Sequence, residues 1–243
     1  MDKTRILEKT SELLIGTPDF QDLAKKSVDL IVRELKEQGV AGAAVFRVNV
    51  QAQSVYAYAY SAKAWSVIDA LLPKKFSEFH LPLSATQNLV VKAIVTGQRQ
   101  ESNKIADFGK IALADAISDA VQKVLRGKLA MVLPVRSRSG KVAGAVLFVL
   151  REARIQPDQL ELLETFANQL GLAFSNVFAF ERLMGAYKKK AESEGANISE
   201  ENIPSIKFTL RISPRQYKKL NNLVDIKKKT KAEVIREIID KAQ

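Results

Sequence analysis

Apolar residues recur along this chain at two spacings, three-to-four and two, and the switches between them set out an order of elements. Ile6, Leu7, Leu13 and Leu14 predict a short helix over Leu7–Ile15. Leu23, Val28, Ile31, Val32 and Leu35 predict a longer one over Asp19–Gln38, which Gly39 ends. Ala43–Val50 (AAVFRVNV) and Ser54–Tyr60 (SVYAYAY) read as strands about a turn at Gln51–Gln53. A helix bearing Trp65, Ile68 and Leu71 stops at Pro73, the strand FHLPL follows, and a helix over Gln87–Thr96 is closed by Gly97. Arg99–Ser102 reads as a short polar strand and Gly109–Leu125 as helical. Lys128–Arg136 and Lys141–Leu150 then flank a turn at Ser137–Gly140, the clearest hairpin in the chain. A long helix rich in Leu, Phe and Ala runs from Pro157 to about Tyr187. The periodicity then lapses. Gly185–Pro204 (GAYKKKAESEGANISEENIP) is polar and nearly free of large apolar groups, so it reads as a linker over 186–203 between a domain at 1–185 and one at 204–243.

The terminal segment alternates strictly. Phe208, Leu210 and Ile212 point to one face of a strand, and Lys207, Thr209 and Arg211 to the other. Ser213-Pro214-Arg215-Gln216 supplies a hydroxyl cap, Pro at the first helical position and Gln at the third. The helix it opens would bury Leu220, Leu223 and Val224. After a lysine-rich turn, Thr230-Lys231-Ala232-Glu233 offers a second capping box, ahead of Val234, Ile235, Ile238 and Ile239 on one stripe. One strand and two short helices cannot bury enough surface alone, and a single strand has unpaired edges. Two copies pairing their strands antiparallel would share a core.

KFTLRISPRQYKKLNNLVDIKKKTKAEVIREII resembles a ribbon-helix-helix DNA-binding domain of the MetJ/Arc class, over essentially all of Pro204–Ala242. The resemblance implies a β-α-α module whose paired two-stranded ribbon enters the major groove of double-stranded DNA. Lys207, Thr209 and Arg211 would then contact base edges, and Thr230 and Lys231, with Lys229 just before them, would meet phosphate at the start of the second helix. The turn between the two helices departs from the pattern: the family usually has Gly there, and this chain has Lys228. That turn must place a non-Gly residue near positive φ or take another path.

Charge agrees with a polyanion partner. The chain carries 38 Lys and Arg against 27 Asp and Glu, a net +11. From Pro204 onward eleven basic residues meet four acidic ones, so a net +7 sits in the terminal segment. Lys188-Lys189-Lys190, by contrast, reads as a solvated face.

The preceding region resembles a GAF domain, a small-molecule sensory module with a central antiparallel sheet and helices on one face and along the ends. The similarity spans roughly residues 1–185 and rests on the hairpin LAMVLPVRSRSGKVAGAVLFVL, the following IQPDQLELLETFANQLGLAFSNV, and the helix-turn VVKAIVTGQ. It implies that Pro134 and Gly144 recur in that hairpin and that the last helix pairs in a homodimer. Leu160, Leu163, Phe166, Leu170 and Phe174 are the expected two-fold seam. GAF domains that bind cyclic nucleotides carry Asn-Lys, Phe and Asp-Glu around the end of the hairpin. Arg151-Glu152 and Asp158-Gln159 stand there instead, which disfavours that ligand class. Members that attach bilins or reduce methionine sulfoxide use Cys, and this chain has none.

Little else carries chemistry. Without cysteine there are no disulfides, thiolate metal sites or Cys nucleophiles, which is compatible with a reducing cytoplasm, where the chain is expected. No apolar run approaches the length of a membrane span, and the amphipathic, charged start is not expected to be a signal peptide. His80, the only histidine, reads as a partly buried structural residue, and no catalytic constellation accompanies it. Tyr56, Tyr58 and Tyr60 fall on one face of a strand, a stripe that more often packs than binds. If the domain holds a ligand pocket, Tyr58, Trp65 and His80 are its candidate lining. The expectation is an α+β chain that is no enzyme: a cytoplasmic, homodimeric transcription regulator with a GAF-like sensor, no evident cofactor and an unidentified small-molecule effector. The rival, from another class, is a GAF-mediated dimerising module whose basic tail binds an acidic protein or RNA without reading sequence.

Overall fold

A computed structural model describes residues 20–61 and 67–194, the side chains of 180, 184 and 187–194 excepted. The expected N-terminal helix, Trp65, and the segment carrying Lys207, Thr209, Arg211, Lys229, Thr230 and Lys231 lie outside the described residues. The chain divides after Ala179 into two units, and the fold below is that of the first.

Its sheet has six antiparallel strands: β1 (Val40–Asn49), β2 (Ser54–Tyr60), β3 (His80–Pro82), β4 (Gln100–Ser102), β5 (Leu129–Arg136) and β6 (Val142–Leu150), in the order β3-β2-β1-β6-β5-β4. Both edge strands are three residues long, a common way to keep an edge from templating aggregation. β1 is covered on both faces, so Val40–Phe46 is buried without a break, and its sequence is an apolar run instead of an alternation. Gly144 of β6 registers against Arg47 of β1 and Val135 of β5. A Cβ there would fall on the Phe46 carbonyl, which is why the strand has glycine at its third position.

Against the sheet pack the α-helices α1 (Phe20–Glu34), α2 (Leu89–Thr96), α3 (Ala106–Gly109), α4 (Asp115–Leu125) and α5 (Pro157–Glu194). They cover both faces of the sheet, not one face and the ends as the resemblance implied. On one face α1 and α5 bury Leu23, Ile31, Phe166 and Phe174 against Val45, Met131 and Phe148. On the other, α2, α3 and α4 bury Val91, Phe108 and Leu125 against Ala44, Ala57 and Val132. α1 is shorter than its periodicity predicts. It gives way to a 3-10 turn at Lys36–Gln38, closed by Gly39 at φ +83°. Of the helical stretch expected over Gly109–Leu125 only Asp115–Leu125 is helix, a loop separating it from α3, which ends at Gly109, and α5 runs past Tyr187 to Glu194, into the expected linker.

The expected dimer seam is overturned. Leu163, Phe166, Leu170 and Phe174 are fully buried under their own sheet, and Leu160 is partly buried beside them. Full burial of such a side chain is worth about 1.5–3 kcal/mol, so freeing four of them would cost on the order of a whole domain's stability. Outward from α5 stand Asp158, Glu161, Glu164 and Asn168 instead.

Candidate functional site

The second face of the sheet carries a partly open cavity of about 90 Å³. Its floor is Ala44 and Phe46 of β1, Val55 and Ala57 of β2, and Leu147 and Val149 of β6. Alanine is depleted in strands, where larger side chains pack the pleated surface. Ala44 of β1 and Ala57 of β2, which registers with Phe46, leave the space unfilled. Leu72, Phe76 and Phe79 close one side, Val121 and Leu125 of α4 another, and Phe108, Gly109, Ala112 and Leu113 form the cover. Every described residue of the lining is apolar. Its described side chains offer water no hydrogen-bond partner.

The cover is pinned by Asn88, which is fully buried and fully satisfied. Its amide nitrogen donates to the Phe108 and Lys110 carbonyls at 2.7 and 2.9 Å. Its Oδ1 accepts the Val90 and Val91 N–H groups, capping α2. Gln122 of α4 adds a second tie: its Oε1 accepts the Ile105 N–H at 2.9 Å, and its Nε2 donates to the Asn103 carbonyl at 2.7 Å. Asp107 binds Lys110 Nζ at 2.8 Å and accepts from Ser102 Oγ at 2.6 Å. Those two hydrogen bonds, from Lys110 first and Ser102 second, hold its carboxyl below the usual carboxylate range. Between these ties the chain is strained. Ile111 takes φ +74°, a left-handed conformation costly for a β-branched residue, and leaves its side chain 59% exposed.

Of the residues expected to line a pocket, Tyr58 and His80 do not line this cavity. Val45 pairs with Ala59 and Phe46 with Ala57, so Tyr58 is the extra residue of a β-bulge. The bulge breaks the expected tyrosine stripe. Tyr58 turns toward α1 and α5, edge-on to Phe20 with centroids 4.6 Å apart. Tyr60 turns the opposite way, onto Phe76, with its hydroxyl donating to Asp69. Burial first, and then the hydrogen bond to Asp69, push the Tyr60 phenol up. His80 is exposed on edge strand β3, its ring 5.7 Å from that of Tyr56, and so is not the partly buried residue expected. Tyr58 and Tyr60 instead border an open polar groove with Lys25, Lys74, Lys75 and Asp69. Ala44, Ala57, Asn88 and Ile111 are the residues that sequence reasoning passed over. Only Asn88 carried a readable signal, as an N-cap residue directly before the apolar run LVVKAIV.

Among the described residues there is no cluster of three or more His, Cys, Asp or Glu able to hold a metal, and no helix long and apolar enough to cross a membrane.

No family profile and no curated protein matches the sequence. Solved structures match the fold. The GAF domain of a phosphoenolpyruvate-protein phosphotransferase from Coxiella burnetii aligns over 76% of this chain and 98% of its own, at 13% identity and a TM-score of 0.57. The corresponding domain from Acinetobacter aligns over 76% and 97%, at 15% identity and a TM-score of 0.53. A free methionine-R-sulfoxide reductase from Neisseria meningitidis aligns over 73% and 90%, at 12% identity and a TM-score of 0.52. The fold of this chain is therefore that of a GAF domain.

Proposed function

We propose that this chain is a dimeric DNA-binding transcription regulator in which a GAF-like sensor is joined to a ribbon-helix-helix segment. The observation that carries the reading is the strand pattern near the C-terminus. Lys207, Thr209 and Arg211 alternate with Phe208, Leu210 and Ile212, and two capping boxes follow in a segment of net +7. Arg and Lys reach the O6 and N7 acceptors of guanine, and Thr bonds either base type or touches a thymine methyl. Thr230 and Lys231, preceded by Lys229, take the phosphate contacts. Dimerisation is assigned to the terminal strand, which needs a second copy to complete its ribbon, because the apolar face of α5 is occupied within its own domain.

The sensory half rests on the GAF fold and on the apolar cavity, whose cover is tied down by Asn88 and strained at Ile111. Two weak DNA-binding halves held in one dimer gain effective concentration for each other, which a ligand in the sensor could modulate. The direct test is selection of binding sites from a random DNA pool with purified full-length protein, at one fixed salt concentration. Enrichment of a two-fold symmetric site supports the reading. Recovery of unenriched DNA, with random duplex competing as well as any selected site, overturns it in favour of a basic tail that binds polyanions without reading sequence.

A further inference from the structure

The geometry points to the class of ligand the cavity takes: a small, uncharged, apolar molecule, such as a short hydrocarbon or an unsubstituted aromatic ring. This rests on the sensory half of the reading above and is independent of its DNA-binding half.

Three observations carry it. The described lining contains no hydroxyl, amide or charged group, so an ionised or strongly hydrogen-bonding ligand would lose its hydration there and gain no partner. The polar side chains nearest the cover are already committed. Asn88 spends its amide on the Phe108 and Lys110 carbonyls, and Asp107 is paired with Lys110 and Ser102. The void is also built into the sheet, not left by poor fit in a loop. Ala44 and Ala57 stand on neighbouring strands where β-branched residues would fill the space, and an unfilled cavity forfeits packing energy.

Size and access are consistent with this class. At about 90 Å³ the cavity is smaller than the roughly 150 Å³ apolar cavity that binds benzene or xenon, so a ring-sized ligand must displace part of the lining. The cover can yield. Ala112 and Leu113 line the cavity directly after Ile111, whose left-handed backbone marks the strained point of the cover. Among the described lining residues a nucleotide or a carboxylate finds neither the room nor a counter-charge.

The test uses the full chain, without DNA, and benzene and benzoate as probes that share a ring and differ by a carboxylate. Melting temperature is followed together with methyl chemical shifts. Benzene at a few times its Kd should raise Tm by about 2–4 °C and shift methyl signals of Val55, Leu113 and Val149, while benzoate at the same free concentration does neither. Ala57→Leu fills the floor and should abolish the benzene response. Leu113→Ala widens the cover and should tighten benzene binding several-fold, which keeps the test decisive if Ala57→Leu does not fold. A benzoate response equal to that of benzene overturns the apolar class while leaving the domain a sensor. No response to either probe, in wild type and in Leu113→Ala alike, overturns the proposed ligand class at this cavity. Neither outcome bears on site selection from DNA.

Discussion

The guanidinium carbon of Arg47 lies 4.2 Å from the centroid of the Phe178 ring. The same group is 4.6 Å from the Phe20 ring, and its Nη1 donates to the Tyr58 hydroxyl at 3.4 Å. Arg47 thus joins β1 to the first turn of α1 and to α5 just before the first unit ends, through the faces of aromatic rings. Arg47→Ala should lower unfolding free energy by about 1–2 kcal/mol, and Arg47→Lys by less, because the ammonium keeps the charge but not the planar stack. Urea titration of the three proteins measures the order.

Backbone contact sets a harsher limit at two glycines. α5 crosses the end of β5 so closely that a Cβ at Gly171 would fall on the Arg136 carbonyl, as one at Gly144 would fall on that of Phe46. Neither obstacle is a side chain that can rotate away. Gly171→Ala and Gly144→Ala should each cost about 3 kcal/mol or more, whereas Gly140→Ala, in open space at φ +80°, should cost about 1. Thermal unfolding of the three variants tests this ranking.

The cover of the cavity should fail at Asn88 first. Asn88→Ala removes the cap of α2 and orphans the Phe108 and Lys110 carbonyls, a loss of about 2–4 kcal/mol. Hydrogen exchange should show faster opening at Phe108–Leu113 than in β5 and β6. At Ile111 the sign reverses. Ile111→Gly exchanges left-handed strain for unfolded-chain entropy, so it should be neutral or stabilising by up to about 1 kcal/mol.

Asp107 gives the domain an acid-sensitive tie. Its folded carboxyl titrates below the ordinary value of 3.8 because Lys110 and Ser102 hydrogen-bond to its ionised form. The stabilisation is therefore complete above that ordinary value and is lost as pH falls through the lower folded one. Asp107→Asn should flatten this part of the acid limb of stability, by under about 1 kcal/mol, since the Lys110 partner is solvent-screened. Stability curves from pH 6 downward for both proteins, at equal salt, show whether the slope disappears.

For the C-terminal segment, Arg211→Lys is the sharpest variant. It preserves charge and removes the bidentate fork, so it should cost about 1–3 kcal/mol on the best site and relax base preference there. Lys231→Ala should instead weaken all sequences alike and make the salt slope shallower by about one. If Arg211→Lys left affinity and preference intact, base reading by that residue would be refuted.

Much of the fold was legible in the sequence because its signals are local. Gly39 and Gly97 end their elements in left-handed conformations, and the hairpin of β5 and β6 follows its two apolar runs closely. What the sequence hid is what depends on neighbours. The Tyr-Ala-Tyr-Ala-Tyr alternation of β2 survives intact in the sequence although the bulge at Tyr58 reverses its faces, because register belongs to a pair of strands. The stripe of α5 announced an apolar surface but not whether its own sheet or a second chain would cover it. The cavity was least visible. It is made by the smallness of Ala44 and Ala57, and an alanine gives no sign of whether a larger neighbour reaches across to fill its place.

Phe46 lines the cavity and Arg47, the next residue, holds the aromatic rings of α1 and α5 on the opposite side. A single peptide group separates the two, and a peptide group is planar and stiff. The sheet therefore acts here as a partition one residue thick, in which any tilt of that plane is shared by both compartments at once, with no chain of intervening side chains to cross.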